Sequence, residues 1–181
     1  MHFSSSVLVA LAATASAIDI RAYQADGCNG STRSCANINP NVCCTFPQDA
    51  GMASVGFAAI PTNWRIRCEA YTEGGCSSFG GQGDSNGAGF VCLPFTTRGN
   101  RTGGKYWFLN RKRAIEDTCP AEQADGGKCT SSVKYNTVGL ADGTEYNITG
   151  LSEEKVQELE KLADSGASAD AIPVEFHSFR R

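Results

Sequence analysis

Ser54-Val55-Gly56-Phe57-Ala58-Ala59-Ile60-Pro61-Thr62-Asn63-Trp64-Arg65-Ile66-Arg67-Cys68-Glu69-Ala70-Tyr71 decides the fold class. Val55, Phe57 and Ala59 alternate with small residues, and Trp64, Ile66, Cys68 and Ala70 alternate with Arg65, Arg67, Glu69 and Tyr71. Successive side chains of a strand point to opposite faces, so a period of two marks a strand half-buried on one side. Two such runs around Pro61-Thr62-Asn63 predict a β-hairpin.

The same pattern extends in both directions. Ile18, Ile20 and Ala22 alternate with Asp19, Arg21 and Tyr23, and Phe90 to Phe95 and Tyr106 to Leu109 read as further strands. The glycine-rich stretch from Gly74 to Gly89 reads as turns and loops held by Cys76 and Cys92. Short strands, glycine turns and this cysteine density predict a mainly β, compact, disulfide-stapled β-sandwich-like body.

Nine cysteines carry the second argument: Cys28, Cys35, Cys43, Cys44, Cys68, Cys76, Cys92, Cys119 and Cys129. Residues 1–17 read as a signal peptide, with an apolar run from Val7 to Ala13 and the small-residue pattern Ala15-Ser16-Ala17. That run is too short to span a bilayer, which takes roughly 20 apolar residues. The expectation is a secreted, extracellular chain without a membrane span, in a compartment where cysteines become structural disulfides. Adjacent Cys43 and Cys44 point to opposite faces if extended, so each should bond a different part of the chain. Nine is odd, and the leftover thiol is read as buried and inert in preference to a dimer bridge. Sequons at Asn29, Asn100 and Asn147 are glycosylation candidates that fit an exported glycoprotein.

Charge divides the chain. Residues 18–113 hold six acids and ten bases, whereas 114–181 hold thirteen and six. At the break stands Arg111-Lys112-Arg113, a dibasic junction where Lys112 and Arg113 form a candidate processing site or simply a basic linker. The organisation expected is a cysteine-rich β body at 18–110, the junction at 111–113, and an acidic C-terminal hairpin-helix segment at 114–181. That segment is a candidate propeptide or tethered appendage, one that could cover the basic face. In it Val133-Lys134-Tyr135 and Tyr146-Asn147-Ile148 flank the turn Ala141-Asp142-Gly143. Ser152 is a good N-cap for one amphipathic helix over Glu153 to Ala163, with Gly166 beyond its end. Val156, Leu159 and Leu162/Ala163 form its narrow apolar stripe, and Ile172 to Phe176 reads as a final edge strand.

Catalytic chemistry is thinly supplied. The two histidines are His2, within the signal peptide, and His177 near the C-terminus, so a nucleophile–imidazole pair in the body lacks its base. Metal sites and cofactors are not expected, since oxidised cysteines do not ligate. A small polysaccharide hydrolase using Glu69 and Glu73 is the enzymatic alternative, because glycosidases need only two carboxylates at a set separation. Binding surfaces are better provided: Arg65, Arg67, Tyr71 and Trp107 are the candidates, with Arg98, Arg101 and Lys105 leading to Tyr106. Such a face suits a host or competitor protein, a glycan or a lipid surface. Nucleic acid is disfavoured, since no recognised binding motif is present.

The stretch Cys28 to Cys92 resembles fungal small cysteine-rich secreted proteins, through Gly27-Cys28-Asn29-Gly30, Cys35-Ala36-Asn37-Ile38-Asn39-Pro40, the Cys43-Cys44 pair and Ser54 to Trp64. The resemblance covers about half the chain. It implies an effector-type virulence protein that binds a target outside the producing cell without catalysis, or an antimicrobial or killer-type toxin. Tyr71-Thr72-Glu73-Gly74-Gly75-Cys76 is similar to a βγ-crystallin Greek-key motif, with Cys76 replacing the second aromatic, Ser78 the later glycine, and no calcium pattern.

Overall fold

The computed structural model describes residues 17–95, 100–109 and 131–181. Among these residues eleven strands form two sheets, and one α-helix packs beside them. The strands are β1 (Ile18–Tyr23), β2 (Thr32–Ile38), β3 (Val42–Thr45), β4 (Ser54–Ala58), β5 (Ile66–Thr72), β6 (Ser78–Asp84), β7 (Val91–Pro94), β8 (Gly103–Phe108), β9 (Ser131–Lys134), β10 (Thr137–Gly139) and β11 (Glu145–Asn147). The helix, α1, spans Glu153–Asp164. One sheet has the order β11-β10-β2-β1-β4-β7 and the other β6-β5-β8-β3-β9. Every pairing is antiparallel except β3 with β9. The body is mainly β and sandwich-like, as the alternation predicts.

Alternation tells which side chains are buried but not which strand lies alongside, and here the expected hairpin fails. β4 pairs with β1 and β7 in the first sheet, while β5 pairs with β6 and β8 in the second. Residues 59–65 carry the chain across the sandwich. Val55 and Phe57 on one side and Ile66, Cys68 and Ala70 on the other therefore meet in one core. Each of these five is fully buried. Stacking two apolar faces removes both from water, whereas a hairpin would leave them side by side and still uncovered.

The glycine-rich stretch departs from expectation too, since Ser78–Asp84 is strand β6. Its glycines clear space rather than form turns. A Cβ on Gly83 would come within 3.0 Å of the Leu93 side chain, and one on Gly80 would overlap the Arg101 guanidinium. Missing side chains erase the period-two signal while the backbone still pairs along β5.

The acidic segment completes both sheets. β9 adds to β3 in the second sheet, and at residues 135–136 the chain crosses to the first, where β10 pairs with β2 and β11. The tail hairpin is thus β10–β11 around the expected turn, and Val133–Tyr135 is not its first strand. α1 forms where its cap and acids place it, with the Ser152 side chain accepting from the Lys155 N–H at 3.4 Å and Glu153 and Glu154 in the first turn. It buries Leu159 and Ala163 against Val138, Leu140, Tyr146, Ile172 and Phe176, a second core beside the first. The expected edge strand at Ile172–Phe176 is replaced by a 3-10 turn at Val174–Phe179, begun by Pro173, whose carbonyl accepts from the Phe176 N–H at 3.0 Å. A proline that cannot donate starts such a turn without loss.

Arg33 stitches the two cores together. Its register partners on β1 and β10 are Ala22 and Val138, both inward-facing and fully buried. Its guanidinium meets Glu160 at 2.9 Å and Asp164 at 2.8 Å on α1.

Candidate functional site

Among the described residues three disulfides set the loops: Cys28–Cys92, Cys35–Cys44 and Cys43–Cys76. Neighbouring Cys43 and Cys44 bond in different directions. Cys68 is free and lies in the core, where burial pushes its thiol pKa up, with the Asp84 charge adding to the effect. Cys119, Cys129, Lys112 and Arg113, with Arg98, lie outside the described residues.

The basic face read from the sequence is only partly assembled. Arg65 is exposed, and Arg67 is engaged in a two-pronged contact with Asp84 at 2.8 and 3.1 Å. That hydrogen bond, helped by the opposite charge, holds the Asp84 carboxyl below its usual range. Tyr71 is buried rather than presented to solvent, and its hydroxyl donates to Glu69. Lys105 Nζ stands 3.6 Å from the Glu69 carboxylate and within 5.3 and 5.6 Å of the Tyr71 and Trp107 ring centres. Glu69 is therefore a neutralised, buried group. Glu73 lies past the end of β5 and accepts from the Ser78 hydroxyl at 2.5 Å. Arg101 is also buried, donating to the Pro94 carbonyl at 2.7 Å.

The sequons differ in setting. Asn29 and Asn147 are exposed, and Asn147 Oδ1 accepts from the Thr149 N–H at 2.9 Å, leaving its amide nitrogen outward. Asn100 turns inward: its amide donates to the Gln48 carbonyl, and Thr102 of the same sequon is buried.

A groove that sequence reading did not assemble lies on the outer face of the six-stranded sheet. Residues paired across strands share a face, which gives two rows. One is Gly56, Arg21, Ser34, Thr137 and Asn147; the other is Ser54, Tyr23, Thr32, Gly139 and Glu145. Arg21 lies across β2 and β10 to meet Glu145 at 2.9 Å, and also contacts Asp19 at 3.0 Å. Three strand spacings separate β1 from β11, about 14 Å, so both side chains must lie along the sheet. Gly139 permits this neighbourhood to close up, since a Cβ there would overlap the Thr32 hydroxyl. The resulting cavity of about 300 Å³ is lined by Arg21, Tyr23, Asn29, Thr32, Gly139 and Glu145.

Electrostatics fix its groups. Burial opposes the Arg21 charge, but the Asp19 hydrogen bond and the Glu145 charge outweigh it and raise its pKa. Burial raises the Tyr23 phenol above its ordinary value, so it stays a neutral hydroxyl at working pH. At one end a Cβ on Gly56 would come within 2.8 Å of both the Tyr23 and Phe90 rings, and Phe90 is exposed. The signal was present as the outward residues Asp19, Arg21 and Tyr23 of the first strand. Their partners lie more than a hundred residues away on β10 and β11, and no local spacing connects them.

A family model described as an N-terminal domain matches residues 19–136. An uncharacterized secreted protein of Arthroderma benhamiae is 26% identical over 178 residues, covering 94% of this chain and 88% of that relative. No solved structure matches. The chain is a secreted, cysteine-rich, disulfide-bonded protein, and among the described residues no helix is long and apolar enough to cross a membrane.

Proposed function

From the premise that this chain belongs to the ARB_05566_N family, we propose that it is a non-catalytic binding protein of the effector type. It engages a target of a host or competitor outside the producing cell. The observation that carries this reading is the groove across β1, β2, β10 and β11, whose Arg21, Tyr23 and Glu145 are set in place by mutual contacts before any ligand arrives. Concave sites with a few convergent polar groups on a rigid scaffold are where ligands bind, and preset groups lose little freedom on binding. Glu69 supports the non-catalytic side. Its carboxylate is held by Tyr71 and Lys105 in a buried pair, and Glu73 is occupied by Ser78. A glycosidase needs one carboxyl protonated and the other poised across an open cleft.

The test is attachment of labelled protein to intact host and competitor cells, comparing wild type with Arg21→Ala and Glu145→Gln. Saturable attachment that both substitutions weaken supports the reading. Attachment unchanged by either removes the groove from it. Growth arrest of competitor cells would favour the toxin alternative. Product release from cell-wall glycans abolished by Glu69→Gln would favour the hydrolase.

A further inference from the structure

We infer that the Cys28–Cys92 bond is a reducible clasp on the groove, opened by an external dithiol ahead of the other described disulfides. The inference rests on the binding reading above and adds the regulation of that site. Position is the first argument. Tyr23 pairs with Thr32 and Thr32 with Gly139, so the β1–β2 loop and the β10–β11 turn stand at the same end of the six-stranded sheet. The cavity lies between them: Cys28, Asn29 and Gly30 line it from the loop, and Leu140, Ala141 and Gly143 from the turn. Cys92 belongs to β7 at the far edge of the sheet, yet its Cα is 6.0 Å from that of Cys28. The loop therefore folds back over β4, where the Cys28 N–H donates to Ser54 Oγ at 3.0 Å and Ser54 Oγ donates to the Ala25 carbonyl at 2.5 Å. The disulfide is the covalent hold that draws this wall toward β7 and away from the turn opposite.

Backbone conformation is the second argument. Cys28 has a φ of 56°, in the left-handed region that is unfavourable for a residue carrying a Cβ. A conformation of that kind persists only where its surroundings hold it. Once the bond to Cys92 opens, the Cys28 backbone can return to negative φ, and Asn29 and Gly30 move with it. The groove then loses a preset wall, and with it the affinity that a preset site supplies.

Access decides which bond opens first. Cys28 and Cys92 are both half-buried, whereas Cys35 and Cys44 are fully buried, and Cys43 is 3% exposed beside a half-buried Cys76. Exchange proceeds by attack of a thiolate on one sulfur while the other leaves as a thiolate. At Cys35–Cys44 neither sulfur can be reached. At Cys43–Cys76, attack on the reachable Cys76 would expel the Cys43 thiolate into a buried site, which disfavours it. At Cys28–Cys92 the attacked and the leaving sulfur both belong to residues in contact with water. The first thiolate of the dithiol attacks Cys92 Sγ, the S–S bond breaks, and the departing Cys28 thiolate takes up a proton. The second sulfur of the dithiol, as its thiolate, then displaces Cys92 from the mixed disulfide, and Cys92 is protonated in turn. Two electrons and two protons have passed from the dithiol to the protein, and the reductant leaves as a cyclic disulfide.

Graded dithiothreitol added to the native full chain, quenched with iodoacetamide and read by peptide mapping, tests the order of opening. Cys28 and Cys92 are expected to label about tenfold or more faster than Cys35, Cys43, Cys44 and Cys76. In protein reduced at this bond alone, amide NMR shifts should move at Asn29, Gly30, Thr32 and Leu140, with β5 and β8 unchanged. Its attachment to cells should weaken about tenfold and recover on reoxidation. The double variant Cys28→Ser, Cys92→Ser should match the reduced protein; if it is not secreted, reduction and reoxidation of folded wild type decide alone. Labelling of Cys43 or Cys76 as fast as Cys28 overturns the inference, as do groove amides that stay in place once the bond is open. Attachment sensitive to Arg21→Ala but indifferent to reduction removes the clasp and keeps the binding reading. Attachment indifferent to Arg21→Ala removes the binding reading, and the labelling order and groove shifts then decide the clasp by themselves.

Discussion

A thiol in the middle of an oxidised, secreted fold invites trouble unless it is unreachable, and Cys68 is. It is fully buried with Ile66, Ala70 and Tyr106, and burial pushes its pKa far above that of a free thiol. Reactivity requires the thiolate, so the side chain behaves as a small hydrophobe. Iodoacetamide should leave Cys68 unmodified in the native protein and label it fully after unfolding without reductant. Labelling of native protein at the rate of a free cysteine, read by peptide mapping, would contradict this. The same scale separates the sequons. Exported protein should carry glycans at Asn29 and Asn147, while a glycan on Asn100 is incompatible with its amide facing the Gln48 carbonyl. Mass mapping that finds Asn100 fully occupied in folded protein would show that the 48–100 contact does not form.

Among the elements, the join between α1 and the sandwich has the sharpest energetic signature. Arg33 has 2% side-chain exposure, while Glu160 and Asp164 have 17% and 32%. The cation is thus buried and the anions reach water. Removing both anions as Glu160→Gln with Asp164→Asn strands a buried charge and should cost about 3–5 kcal/mol. Arg33→Met, which removes the buried charge and keeps much of the volume, should cost clearly less. Urea melts of the two variants check the order, and an equal loss would mean that packing, not charge, sets this join. Asp142 makes the neighbouring turn sensitive to acid. Hydrogen bonds from the Thr144 and Ala169 N–H groups, at 2.8 and 2.9 Å, hold its pKa below the usual value. A carboxylate depressed on folding stabilises above its unfolded pKa, and that contribution is lost as pH falls through the lower folded value. The difference in Tm between wild type and Asp142→Asn should therefore be present at neutral pH and shrink below about pH 4. A difference that persists unchanged into strong acid would assign the effect to something other than ionisation.

How much of this was legible depends on whether a feature is local. Helix α1 could be read to within a residue because its cap, its first-turn acids and its stripe all lie within a dozen positions. The strands at 18–23 and 66–72 could be read because period two is local as well. Pairing could not. The choice between a hairpin and a crossover at Pro61 depends on which surface the apolar faces of β4 and β5 meet, and the groove joins Arg21 to Glu145 across two intervening strands. β6 was hidden because its glycines make room for Arg101 and Leu93, which belong to other parts of the chain.

At the scale of the whole molecule, the acidic segment bears on both stability and function. The family match ends at residue 136, where the chain passes between sheets, and Gly139 and Glu145 of the groove come after it. The groove is therefore built jointly by the N-terminal domain and the segment that follows. β9 is paired along β3, β10 lies between β2 and β11, and α1 is anchored through Arg33. Backbone pairing into both sheets and a buried apolar face give residues 131–181 several independent holds on the body. Cleavage after Arg113 should then yield two chains that co-elute on gel filtration under non-denaturing conditions, with the reductant omitted and then included at low concentration. The nicked protein should keep its groove and its cell attachment. A chain truncated after residue 136 should lose attachment even if it remains soluble, because Glu145 no longer fixes Arg21. Separation of the two pieces on nicking would show that these holds are weak, and full attachment by the truncated chain would show that the segment is dispensable to the site and that the groove is not where binding occurs.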